Sequence, residues 1–136
     1  NPYQFKTKGE MVDECSNKRL LKKMVNTTVS CSHWKRKNQQ CGICVPCLIR
    51  RSSLLKGKIN ERKNYIFNDI TKINDNTKQD DLIALLIANK RKSEENIAKW
   101  ILQSGSLPSE CIKDFERVFI SGLSEVEVFL RSEGVI

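Results

Sequence analysis

Apolar positions recur along most of this chain at helical rather than strand spacing, which predicts a series of short amphipathic helices. Thr7-Lys8-Gly9-Glu10 has the form of a capping box, Thr at the N-cap and Glu at N3. It predicts a helix from about Lys8 to Cys15, with Met11, Val12 and Cys15 on one face and Phe5 braced against Met11. Ser16-Asn17 offers a break and a new cap, and a second short helix is expected over Lys18 to Val25, carrying Leu20, Leu21, Met24 and Val25. Residues 26–30 are β-branched and polar and should lead extended into Cys31; Ser32–Gln40 is a loop by composition. Pro46 suits a first helical turn and Gly57 a helix end. A helix is therefore expected over Val45–Leu55, with Cys47, Leu48, Leu54 and Leu55 as inward candidates.

Farther along, residues 65–70 read as an extended or connecting segment and Asn74-Asp75-Asn76 as a turn. A helix opened by residues 77–80 should face inward through Leu82, Ile83, Leu86 and Ile87, until the polar stretch Asn89–Asn96. Ser93 is the expected cap of a further helix bearing Ile97, Trp100 and Ile101 and stopping near Gly105. Pro108-Ser109 introduces another, with Ile112, Phe115, Val118 and Phe119, which Gly122 should break. Ser124-Glu125-Val126-Glu127 then reads as a second capping box, opening a last helix through Val126, Phe129 and Leu130. The pattern predicts a mainly α protein, divided into a cysteine-bearing segment over 1–60 and a helical extension over 61–136.

Charge changes this picture by splitting it. The net charge is +8. Residues 1–63 hold 15 Lys/Arg against 4 Asp/Glu, and residues 64–136 hold 9 against 12. The cysteine-bearing half should thus face an anion, either nucleic acid, a nucleotide or an acidic neighbour. No apolar run approaches the ~18 residues of a membrane span, so no membrane partner is expected. The start at Asn1-Pro2-Tyr3 has neither an initiator Met nor a signal peptide, as expected of a segment of a longer cytoplasmic chain.

The candidate chemistry lies in four of the six cysteines, Cys31, Cys41, Cys44 and Cys47, at C-x9-C-x2-C-x2-C. Two-residue spacers in series aim three sulfurs at one point, and Cys31 returns across a longer loop to complete a tetrahedron. Zinc prefers that geometry, with Zn–S near ~2.3 Å. Gly42 supplies the backbone freedom such a knuckle needs. A ferredoxin-type run would continue into x3-C-P, whereas Leu48-Ile49-Arg50-Arg51 follows Cys47. A catalytic zinc keeps an open position, which four thiolates fill, so a structural ion is expected. His33, the one histidine, is an alternative ligand in place of Cys31. Trp34 beside Lys35-Arg36-Lys37 could touch a nucleic acid base, or the cations could, with Arg50 and Arg51, offset the charge of a zinc tetrathiolate. Cys15 and Cys111, outside the cluster, are expected to be small buried residues.

Three segments together resemble the C-terminal part of the 7-cyano-7-deazaguanine synthase (QueC-like) family. They are Lys6-Thr7-Lys8-Gly9-Glu10-Met11-Val12 after Pro2, the pair Ser30-Cys31, and Cys41-Gly42-Ile43-Cys44-Val45-Pro46-Cys47-Leu48-Ile49-Arg50. The resemblance implies an α/β nucleotide-hydrolase-like (PP-loop ATPase) parent that activates a 7-deazapurine carboxylate with ATP and converts it, with ammonia, to a nitrile. It implies zinc on Cys31, Cys41, Cys44 and Cys47, and a cofactor-side anion contact for Lys6 and Lys8. The Ser-Gly-Gly-x-Asp-Ser loop of that family is absent from this sequence. ATP is thus expected only with an ATP-binding half, in the same protein or a partner chain. Val45-Pro46 replaces the usual polar spacer, and residues 60–136 extend past the family's ordinary end, as in some longer relatives from phage-defence systems. The expected role is structural rather than catalytic; a zinc-binding nucleic-acid or protein interaction module is the alternative.

Overall fold

A computed structural model describes residues 1–61, 65–73, 79–93 and 96–136. Its regular elements are helices and 3₁₀ turns, with no strand among the described residues. The mainly α expectation holds, and none of the described residues belongs to a nucleotide-binding sheet. Among the described residues seven helices follow in order: α1 (Lys8–Asp13), α2 (Lys18–Met24), α3 (Trp34–Lys37), α4 (Val45–Lys56), α5 (Asp80–Arg91), α6 (Ile97–Leu102) and α7 (Ile112–Ser132). The Asn74–Asn76 turn lies outside the described residues.

Helix α4 is the hub. It packs against α1, α5 and α7, and α7 in turn covers α5, α6 and the start of α1. The main core joins Cys31, Cys41, Ile43, Cys44, Cys47 and Leu48 to Tyr65, Ile70, Leu82 and Leu85, and to Leu123, Val126, Phe129 and Leu130 of α7. It draws on residues from both sides of position 60. A smaller cluster of Val25, Leu54 and Ile59, with Val12 and Leu21 against it, holds α2 at the C-terminal end of α4.

The capping box at Thr7 forms: the Thr7 hydroxyl accepts the Glu10 N–H at 3.0 Å, and the Glu10 carboxylate accepts the Thr7 N–H at 2.8 Å. Phe5 meets Phe115 of α7 edge to face, with centroids 5.3 Å apart. Several local expectations fail for tertiary reasons. Gly122 does not break the chain, because α7 runs unbroken from Ile112 to Ser132. A mid-helix glycine costs about 1 kcal/mol relative to alanine, which burial of Leu123, Val126, Phe129 and Leu130 outweighs. The second capping box is consequently absent: Ser124 accepts a hydrogen bond from Lys92 at 3.2 Å, and Glu125 is recruited by Lys56 at 2.8 Å. Asn96, not Ser93, caps α6 by accepting the Lys99 N–H at 3.0 Å. On α5 Leu82 and Leu85 are buried and Leu86 packs against the core as expected, while Ile83 and Ile87 are exposed; Leu55 on α4 is exposed as well. Cys15 and Cys111 are half-buried.

Candidate metal centre

The cluster is assembled from the N-terminus of α4 backward. Cys44 is its N-cap residue, followed by Val45 and Pro46 in the first turn, so Cys47 faces the core from the same turn. Cys44 supplies no side-chain cap; instead the Val45 N–H donates to the Asp81 carboxylate of α5 at 3.2 Å. Upstream, Cys41-Gly42-Ile43-Cys44 forms a knuckle, with the Cys44 N–H donating to Cys41 Sγ at 3.3 Å. Gly42 has φ +90°, and a Cβ there would stand 2.7 Å from the Phe67 carbonyl oxygen and 2.8 Å from Tyr65 Cβ. Glycine is required both by the dihedral and by the space.

The segment expected to be a mere connection braces this knuckle. Ile66 N–H donates to the Gln40 carbonyl at 3.0 Å and Phe67 N–H to the Cys41 carbonyl at 2.9 Å. Arg51 adds a second brace. Its guanidinium lies 5.2 Å from the Tyr65 ring centroid and 4.9 Å from that of Phe129, donates to the Gly42 carbonyl at 3.3 Å, and pairs with Glu133 at 3.0 Å. Arg50 is buried and donates to Thr28 Oγ1 at 2.8 Å, to the Val25 carbonyl, and to Glu61 at 2.7 Å. Both arginines thus serve the fold, fastening the approach to Cys31 and the knuckle to α4 and α7.

Cys31 completes the set. The four sulfurs all lie within 4.8 Å of one another, and the pairs Cys41–Cys47 and Cys31–Cys44 stand 3.9 Å apart. Bonds of ~2.3 Å around one tetrahedral ion give sulfur–sulfur edges of about 3.8 Å. A disulfide would bring two sulfurs to ~2.05 Å, and all six cysteines are free. The separations fit a single ion; an iron–sulfur cluster puts several atoms between its thiolates and spreads them farther. All four side chains are buried, Cys47 completely and Cys31 the least, at 7% exposed.

The backbone is already turned toward the sulfurs. Cys31 Sγ accepts N–H bonds from His33 and Cys41, both at 3.3 Å. The hydrogen bond from Cys47, together with those from His33 and the backbone, holds the Cys41 thiol far below its usual range, at about 3. The same Cys41–Cys47 bond, aided by burial, pushes Cys47 far up, and burial raises Cys31. Cys41 and Cys47 thus sit as a thiolate–thiol pair, and a divalent cation would supply the charge that favours thiolates at such a site.

The other candidate residues fall in different places. His33 is exposed and hydrogen-bonded to Cys41 rather than a member of the four-atom group. The expected loop after it contains the one-turn helix α3, because Trp34 packs against the core and Asn38, at φ +50°, closes the turn with its N–H on the Trp34 carbonyl at 2.9 Å. Lys6 pairs with Glu14. Lys8 lines a cleft of about 290 Å³ beside Cys15, Leu21 and Arg50. Sequence reasoning missed the supporting residues Asp81, Tyr65, Phe67 and Glu133, which carry no local signal.

The fold and the site define a class: a mainly helical protein whose core includes a closed four-cysteine cluster able to hold a metal ion. No family model matches the chain, and neither the curated proteins nor the solved structures contain a significant match. No helix among the described residues is long and apolar enough to cross a membrane.

Proposed function

We propose that Cys31, Cys41, Cys44 and Cys47 bind one structural zinc ion, and that the chain is the zinc-binding C-terminal portion of a QueC-like ATP-dependent enzyme. The observation that carries the zinc reading is the closed tetrathiol geometry, 3.9 Å on two edges and buried on all four corners. Zinc would tie the Cys31 segment and the knuckle to α4, leaving no position for substrate or water. In this reading the catalytic chemistry, ATP activation of a 7-deazapurine carboxylate, belongs to an ATP-binding half in the same protein or in a partner chain. Free thiols held for a metal fit a reducing, cytoplasmic compartment.

Elemental analysis of the purified chain should give one zinc per molecule, and cobalt substitution should show tetrahedral tetrathiolate absorption. Comparable sites contribute on the order of 10 kcal/mol to folding, so Cys44→Ser or a strong chelator should abolish the packed helical structure. A chain that keeps its helicity with no bound metal overturns the zinc reading. The family reading has its own test, the coding sequence upstream of Asn1. A Ser-Gly-Gly-x-Asp-Ser loop there, or in a chain that copurifies with this one, supports it, and its absence from both removes it.

A further inference from the structure

Between Glu14 and Glu61 the chain carries no acidic residue at all, while it carries eleven lysines and arginines. Four of the eleven meet carboxylates from elsewhere in the chain: Lys18 with Asp13, Arg50 with Glu61, Arg51 with Glu133 and Lys56 with Glu125. Arg19, Lys22, Lys23, Lys35, Arg36 and Lys58 remain exposed, and none has a carboxylate partner among the described residues.

Their placement follows from the packing. Helix α2 buries no residue and is held through Leu21 against Val25, Leu54 and Ile59, which puts Arg19, Lys22 and Lys23 at the same end of α4 as Lys58. From Val25 the chain runs back along α4, pinned through Val25, Thr28 and Ser30 by Arg50, to Cys31 and the turn bearing Lys35 and Arg36. The two groups of cations therefore bracket a strip along α4 on which the Glu61 carboxylate is buried and paired with Arg50. From Leu54 back to Cys47 is about 10 Å at 1.5 Å per helical residue, the axial rise of roughly three phosphates on one strand of a duplex.

We propose that this strip binds the phosphate backbone of double-helical nucleic acid, without sequence readout. It rests on the zinc-folded reading above, since the metal knuckle positions Lys35 and Arg36. Two features favour a duplex backbone. Trp34, the aromatic beside these cations, is packed against the core and offers no free stacking platform of the kind single strands use. Lysine, moreover, is depleted at protein–protein interfaces but suited to phosphate contact, and it supplies four of the six free cations.

The test uses the full chain, with zinc content and circular dichroism checked first. Loss of metal or fold in that check counts against the zinc reading, whereas failure to bind by a zinc-loaded, folded chain counts against the strip. Fluorescence anisotropy with a mixed-sequence duplex should show binding at low salt that weakens steeply as salt rises, with log K falling by about 0.9 per phosphate contact for each decade. The Arg19→Gln/Lys22→Gln/Lys23→Gln and Lys35→Gln/Arg36→Gln variants should each lower affinity at least tenfold and flatten that slope. All five residues are exposed and none has a carboxylate partner among the described residues, so the fold should survive. No binding at low salt, binding untouched by both variants, or tighter binding to polyglutamate or a single strand than to the duplex would overturn the proposal.

Discussion

Thr7, at the start of the first helix, donates its hydroxyl to Glu125, on the last helix 118 positions away. The same carboxylate accepts the Gly9 N–H at 3.2 Å and pairs with Lys56 at 2.8 Å, and its side chain is only 8% exposed. One anion thus joins α1, α4 and α7, and a Cβ on Gly9 would overlap it. Gly9→Ala should destabilise by about 1–3 kcal/mol, since the pinned carboxylate must leave its partners. Glu125→Ala should cost a similar amount, yet Gly9→Ala should cost far less in that background. Urea unfolding of the double-mutant cycle checks this; additive losses would refute the contact as the cause.

Gly122 makes the opposite case. It sits inside a continuous helix, and a Cβ there would meet only Thr7 Cγ2 at 4.0 Å, an ordinary contact. Gly122→Ala should stabilise the protein by about 0.5–1 kcal/mol through helix propensity. A rise in melting temperature verifies that α7 is unbroken, and a fall would indicate that the helix bends or ends there.

At the knuckle, Gly42→Ala should impair metal binding without removing a ligand. The side chain meets a backbone oxygen at 2.7 Å and must adopt φ +90°. Left-handed backbone and overpacking each cost roughly 1–3 kcal/mol, so zinc affinity in a chelator competition should drop at least tenfold. Unchanged affinity would show that the knuckle is not held as described.

Acid should weaken a specific surface contact. Lys92 at 2.6 Å, then Arg131 at 2.8 Å, hold the Glu127 carboxyl below its usual range. Because the folded value lies below the unfolded one, this contribution is full above the unfolded pKa of about 4.3 and fades as pH falls through the folded value. Glu127→Gln should lower the melting temperature slightly near pH 6, by an amount equivalent to no more than ~1 kcal/mol. The gap from the parent protein should close toward pH 3, and a gap that widened would reverse the sign of the linkage.

Much of the cluster was legible because its determinants are local. The Cys41–Cys47 spacing, Gly42 and Pro46 act within one turn of one another, and the Thr7–Glu10 capping box forms as written. What was illegible lies at distance. The carboxylate that caps α4 comes from Asp81, and the backbone that braces the knuckle comes from Ile66 and Phe67. Ser124-Glu125-Val126-Glu127 matched a helix start, but Lys92, Lys56 and Arg131 took up those polar side chains.

By itself the sequence determined helix periodicity, the metal-ligand spacing and the unequal charge of the two halves, since each depends on residues a few positions apart. Only the tertiary structure decided that Cys31 rather than His33 joins Cys41, Cys44 and Cys47 in one cluster, that α7 continues through Gly122, and that Arg50 and Arg51 turn inward while Arg19, Lys22, Lys23, Lys35 and Arg36 stay exposed. Those outcomes depend on which distant groups share the core, and burial there exceeds the fraction of a kcal/mol to ~1 kcal/mol that local propensities command.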